Sequence, residues 1–309
     1  MRIARLAVPA AIAAAIAGCT SASHAHASPP VATSASPAAT GYSKILVIPE
    51  ENHSYSQIIG SGSAPYLNQL ATTYGLATNY DAGYAVSCPS LPGYLLMTEG
   101  TTNNICDDNG PGSHPQSGDN VFHQAAATGR QWRGYAESMP SNCATSNSGN
   151  YAVRHAPAPY YTDEATDCAS WDVPLGTTTA GAFQADLAAG TLPAYSFVTP
   201  NLCHDMHGGT GCSSNLVKAG DDWLGTWIPK ILASPDYTAG RLVVVITFDE
   251  GSSSTNHIAT VVVSPTTSHV SSGTAFTHCS LLRTSEEIIG QPLLGCAASA
   301  TSMRAAFGL

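Results

Sequence analysis

Val243, Val244, Val245 and Ile246 form an unbroken β-branched run within RLVVVITFDEG (residues 241–251), with no polar position to give either side a wet face. A strand of that kind is covered on both faces, as in a parallel sheet between helical layers. It delivers two adjacent acids, Asp249 and Glu250, and stops at Gly251. A second apolar run, Ile45 to Ile48, ends in Glu50, Glu51, Asn52 and His53, and AYSFVTP (194–200) ends in Asn201, Cys203, His204, Asp205 and His207. NHIATVVVSP (256–265) reads as a strand entered through His257, and further strands are expected within 76–85 and at 132–136. Leu67, Leu70 and Tyr74 share one face of a helix over 64–75, with Gly75 as its stop. Other helices are expected near 120–128, 180–189, 220–234 and 278–290, and one opens at Ser90 with Pro92 in its first turn. This alternation predicts a single α/β domain over 42–309, a three-layer α/β/α sandwich on a mostly parallel central sheet. Residues 101–170, rich in Asn, Gly, Ser and Pro, are expected to be largely a surface insertion around a substrate mouth.

In open α/β sheets ligands bind at the carboxyl ends of the strands. The polar groups recur there: Glu51 and Asn52, Asp205 and His207, Asp249 and Glu250, with His257 and Ser90 close to strand or helix ends. Paired carboxylates that lose hydration need a cation, a shared proton or basic partners. Hard oxygens, imidazoles and one hydroxyl suit metal-assisted displacement at phosphorus or sulfur. The bland readings are a helix cap for Ser90 and structural roles for single histidines. No G-x-S-x-G elbow supports an acyl hydrolase.

Charge and composition narrow the classes. Lys plus Arg is 11 against 21 acids, for a net charge of −10, which argues against a nucleic-acid binder. Arg2 and Arg5 before an Ala/Ile-rich run read as an export signal over 1–27. Its cleavage falls either before Cys19, in the lipobox-like Ile16-Ala17-Gly18-Cys19, or after Ala27. The lipobox is the preferred reading, with 28–41 as a tether and lipidated Cys19 as a membrane anchor. Eight further cysteines, none in a tight Cys-x-x-Cys pair, suggest disulfides in an exported protein. Sequential pairing is expected: 88–106, 143–168, 203–212 and 279–296.

Four blocks, EENHSYSQIIG (50–60), PSLPGYLLMTEG (89–100), PNLCHDMHGG with GDDWL (200–209 and 220–224) and ITFDEG (246–251), resemble the bacterial phosphoesterase family of acid phosphatases and phospholipases C, within the alkaline phosphatase superfamily. The resemblance implies Ser90 as a nucleophile forming a phosphoserine. It implies Glu51, Asn52, Asp249 and Glu250 around one divalent ion beside Ser90, whether zinc, calcium or magnesium. Asp205 and His207 match the block that supplies a second metal site or a general acid, and His257 stands where relatives place a further ligand. His207 or His204 is the candidate proton shuttle, with the acid role for His207 preferred. Two departures stand out: Cys88 where His often precedes Pro-Ser, and Gly93 where Asn commonly follows Leu-Pro. The implied activity is phosphomonoester hydrolysis by a monomer, with a phospholipase C-type phosphodiesterase as the alternative. The substrate would be a small phosphate ester or a phospholipid head group. A non-catalytic surface binding lipoprotein is the reading from another class.

Overall fold

A computed structural model describes residues 41–252 and 255–309. The expected signal, with Cys19, and nearly all of the tether lie outside the described residues. The strands are β1 (Lys44–Glu50), β2 (Gly75–Ala77), β3 (Trp132–Ala136), β4 (Asp172–Pro174), β5 (Tyr195–Thr199), β6 (Leu242–Phe248), β7 (Thr260–Val263) and β8 (Val270–Ser272). They form one sheet in the order β4-β3-β5-β1-β6-β7-β2-β8. Only β7 runs against the rest, pairing antiparallel with both β6 and β2. The mostly parallel sheet therefore stands, with one reversal that the apolar pattern of 256–265 did not signal.

The α-helices are α1 (Tyr55–Ile58), α2 (Pro65–Thr73), α3 (Leu91–Thr98), α4 (Val121–Ala127), α5 (Ala165–Trp171), α6 (Ala182–Ala189), α7 (Leu216–Leu232), α8 (Pro235–Thr238), α9 (His278–Ile289) and α10 (Arg304–Phe307). Every residue of β6 is buried, as the β-branched run requires, and β1 lies beside it in register from Lys44↔Leu242 to Glu50↔Phe248. Both strands consequently deliver their acids to the same rim. Gly75 opens β2, the cap of α2 being Tyr74, and position 75 has no room for a Cβ, which would lie 2.6 Å from Phe307. One acid of α7 serves a neighbour: Asp221 accepts from the backbone N–H groups of Tyr66 and Leu67 at 3.0 and 2.7 Å, capping the first turn of α2. The helix itself begins earlier than expected, with Asn215 as its cap.

Residues 101–170 form a surface insertion only in part: most of 101–119 and 137–149 is exposed or half-buried, but the remainder enters the core. Tyr151, Val153, His155, Tyr160 and Tyr161 are all buried, and two 3₁₀ turns, Val153–His155 and Ala158–Tyr160, pack between α3 and β5. Aromatic stacking holds the segment in place, with Tyr94 of α3 lying flat on His155 at 5.3 Å. The four sequentially paired disulfides are all present.

Candidate active site

Ser90 occupies the cap position of α3, but it does not cap. Its backbone is already helical and its side chain makes no bond to the helix start. The hydroxyl instead donates to Glu51 Oε2 at 3.1 Å, and Ser90 is only 2% exposed. The helix can sit this deep because all eight of its residues are buried. At Gly93 an added Cβ would stand 3.0 Å from the Tyr84 hydroxyl and 3.2 Å from the Asp249 carbonyl. That contact explains the departure at Gly93: the Tyr84 ring fills the space an Asn side chain would need, and its hydroxyl reaches Glu250 at 3.4 Å.

Glu51 stands at the centre. Oε1 accepts from the Tyr94 hydroxyl at 2.6 Å and Oε2 accepts from Ser90 and from the Asn52 amide at 3.3 Å. Asn52 adopts a left-handed conformation (φ 54), which Asn tolerates better than most residues, and its backbone N–H donates to Asp249 Oδ1 at 3.0 Å. The other Asp249 oxygen is buried without a partner. Burial pushes Asp249 up to about 7, and burial followed by the Asp249 charge pushes Glu250 up to about 8. Glu51 is raised by burial, then by the charges of Asp249 and Asp205. Three acids this close and this dry call for a cation. His278, the first residue of α9, donates from Nε2 to the Asp249 carbonyl at 2.7 Å, and burial lowers it to about 4. It acts as a neutral strut beneath Asp249.

His155 was missed by the sequence reading. It is 1% exposed; Nδ1 bonds Asp205 Oδ2 at 3.1 Å, which leaves the Nε2 lone pair 3.1 Å from Glu51 Oε1 without hydrogen-bond alignment. A carboxylate that fixes the tautomer of a His while its other nitrogen faces an acid is a metal-ligand arrangement. Glu51, His155 and His207 offer donor atoms that all lie within 4.8 Å of one another. His207 reaches this group because Met206 takes a left-handed φ of 73 and Asp205 Oδ1 accepts the His207 N–H at 2.8 Å. Its Nδ1 donates to the Gly208 carbonyl and its Nε2 accepts from Arg154, as in a neutral ring. The donor set fits a divalent ion, and these residues suggest one without fixing its identity.

Two expected residues stand apart. His257 lies on the same rim, since β7 starts where β6 ends, but its Nε2 bonds the Thr78 carbonyl at 3.0 Å and its ring stacks on Tyr55 at 4.5 Å. Its ring is held against Thr78 and Tyr55, and it is not among the three clustered donors. His204 pairs with Glu137 at 2.8 Å and lines a cavity of about 520 Å³ with Trp223 and Trp227, away from Ser90. No signal in the sequence pointed to His155, because it sits in an irregular stretch with no strand before it.

Fold and comparisons agree on the class. The chain superposes on a protein of the alkaline phosphatase superfamily from Vibrio parahaemolyticus with a TM-score of 0.58 at 14% identity, covering 87% of this chain and 72% of that one. A lipoteichoic acid synthase from Listeria monocytogenes gives 0.55 at 10% identity, covering 83% and 74%. Residues 61–284 match the Phosphoesterase family, and the chain belongs to it. It is 32% identical to a phosphatidylinositol-3-phosphatase from Mycobacterium tuberculosis over 84% of this chain and 81% of that protein. It is 27% identical to a phosphate-repressible acid phosphatase from Penicillium chrysogenum over 74% of this chain, spanning 55% of the fungal protein's length. The chain is a hydrolase of phosphoric esters. The four disulfides fit an oxidising compartment. Among the described residues no helix is long and apolar enough to cross a membrane.

Proposed function

We propose that the chain is an exported, metal-dependent phosphomonoesterase with Ser90 as its nucleophile. The observation that carries this reading is a hydroxyl at the mouth of a buried helix, bonded to Glu51 rather than to its own helix. Glu51 Oε2 would take the Ser90 proton as Oγ attacks phosphorus, while the leaving oxygen takes a proton from solvent and departs as the alcohol. Water would then attack the phosphoserine, giving one proton to solvent, as Glu51 returns its proton to Ser90 Oγ and phosphate leaves. A divalent ion held by Glu51, Asn52 and Asp249, with His155 and His207 as further donors, would supply charge neutralisation and favour the serine alkoxide. Asp205 orients His155, and His278 with Asn52 holds Asp249 in place. The clustered donor atoms favour a ligand role for His207 over proton transfer to the leaving group, with Nε2 giving up its bond from Arg154 when an ion binds.

The substrate class we favour is a phosphomonoester on a bulky alcohol, such as a phosphoinositide head group. Support comes from the 32% identical relative named as a phosphatidylinositol-3-phosphatase, matched over 81% of that protein's length. The decisive panel compares p-nitrophenyl phosphate, phosphatidylinositol 3-phosphate and bis-p-nitrophenyl phosphate, using metal-depleted and reconstituted protein. Preference for the diester would overturn the phosphomonoesterase reading. Equal rates with and without metal would overturn metal dependence.

A further inference from the structure

The first backbone N–H after Ser90 belongs to Leu91, at the start of α3, and has no partner within the helix. It donates to Asp108 Oδ1 at 3.0 Å. The other oxygen of that carboxylate lies 3.0 Å from Arg154 Nε, an ion pair rather than an aligned hydrogen bond. Arg154 turns its Nη2 to His207 Nε2 at 3.1 Å. One carboxylate thus bridges a helix-start N–H and a guanidinium, immediately beside the proposed nucleophile. Those are the two kinds of donor that bind a phosphoryl group's oxygens.

Ser90 is 2% exposed and Glu51 and Asp249 are fully buried, whereas the Asp108 and Arg154 side chains retain 32% and 14% exposure. Asp108 already takes the helix-start N–H that a phosphoryl oxygen at Ser90 would use. The Cys88–Cys106 disulfide carries the segment there, tying the strand of chain before Ser90 to the chain just before Asp108. The departure at Cys88, a position where relatives often have His, is therefore one end of the crosslink that delivers this acid. Below Asp108 the loop is pinned, since Asn109 donates to Asp107 at 2.8 Å and Tyr160 donates to the Asn109 carbonyl at 3.1 Å. Rotation of the Asp108 side chain alone would release both donors.

We propose that Asp108 is a built-in anion occupying the phosphoryl-oxygen subsite formed by the Leu91 N–H and Arg154, and that substrate and inorganic phosphate must displace it. Arg154 then becomes a substrate-binding residue, and Asp108 sets the affinity for phosphate and so the strength of product inhibition. This inference rests on the reading of Ser90 as the nucleophile only for its catalytic consequence; the anion site can be measured without turnover.

The test uses the full, metal-supplied protein with inorganic phosphate as probe, read both by equilibrium titration and as a competitive inhibitor. Asp108→Asn keeps the shape and removes the charge; Asp108→Ser is the second variant, should Asn retain the bridge. Both should bind phosphate about tenfold more tightly, the factor expected when the plugged state is about nine-tenths populated. KM for a phosphomonoester should fall with it. Arg154→Ala should weaken phosphate binding in the wild-type and the Asp108→Asn backgrounds alike. Weaker or unchanged phosphate binding in both Asp108 variants would show that Asp108 only orients Arg154, and the inference would be lost. An Arg154→Ala protein with wild-type phosphate affinity would remove the subsite itself. Hydrolysis that stays intact while these shifts are absent defeats this inference alone. Shifts that appear in a protein without phosphoesterase activity defeat the proposed function alone.

Discussion

The paired strands β1 and β6 and the irregular stretch between β3 and α5 contribute to the same rim by opposite means. β1 and β6 are apolar runs whose ends deliver Glu51 and Asp249, and their position follows from burial on both faces. The irregular stretch delivers Arg154 and His155 with no strand of its own behind them, through 3₁₀ turns held by stacked aromatics and the Cys143–Cys168 crosslink. Rigid positioning of a site does not require regular structure. It requires that the backbone carrying the ligand be buried and its polar groups satisfied. Here His155 meets both conditions as fully as Asp249 does.

Several measurements sharpen or break this contrast. The largest effect belongs to Ser90→Ala, which should lower kcat by more than about 10³-fold with an unchanged melting temperature. A variant retaining most of its activity would remove the nucleophile assignment. His155→Ala should follow, with activity and metal affinity reduced by about 10–100-fold, the range for groups that hold or orient a metal. If loop-borne and strand-borne ligands are equivalent, Asp249→Ala should lose metal to a similar degree in elemental analysis. His257→Ala should leave metal content unchanged and cost the stacking on Tyr55 and the bond to the Thr78 carbonyl, read as a small shift in thermal melting.

Acidity offers another comparison, between loaded and metal-free protein. Asp205 and Asp249 both titrate near 7 in the fold against an ordinary 3.8, chiefly through burial. The folded state thus holds protons that the unfolded chain has released. Their contribution is full below about pH 4 and is lost as pH rises towards 7. Metal-free protein should melt at a higher temperature at pH 5 than at pH 8, and a divalent ion should reverse or flatten that trend. A melting temperature independent of pH in the metal-free form would mean that the acids are compensated some other way. Smallest in reach is the core itself: Val245→Ala on β6 should cost about 2–4 kcal/mol in denaturant unfolding, with the site geometry retained.

Much of the site could be read from the chain because strands end where their apolar runs end. Glu51, Asn52, Asp205, His207, Asp249 and Glu250 all follow such runs, and Ser90 follows from the helix that Pro92 opens. His257 also follows this rule and still turns its ring to Thr78, since a position on the rim does not set a side chain's direction. His204 differs from Asp205 by one place and is carried to another cavity. His278 looked like an ordinary helix residue, and its role under Asp249 depends on where α9 packs.

What the sequence determined by itself was the layered α/β architecture, the sheet's central strands and the rim on which the acids gather, because burial of apolar runs is a local, periodic signal. An even cysteine count pointed to disulfides but did not fix their pairing, and the structure shows the sequential set that was expected. Only the tertiary structure decided the reversal of β7, the entry of His155 between Glu51 and Asp205, and the meeting of Asp108 and Arg154 over Ser90. Those outcomes depend on which distant segments share a buried volume. No periodicity along the chain encodes that, because the contacts join residues separated by tens to hundreds of positions and their energies exist only once the core has closed.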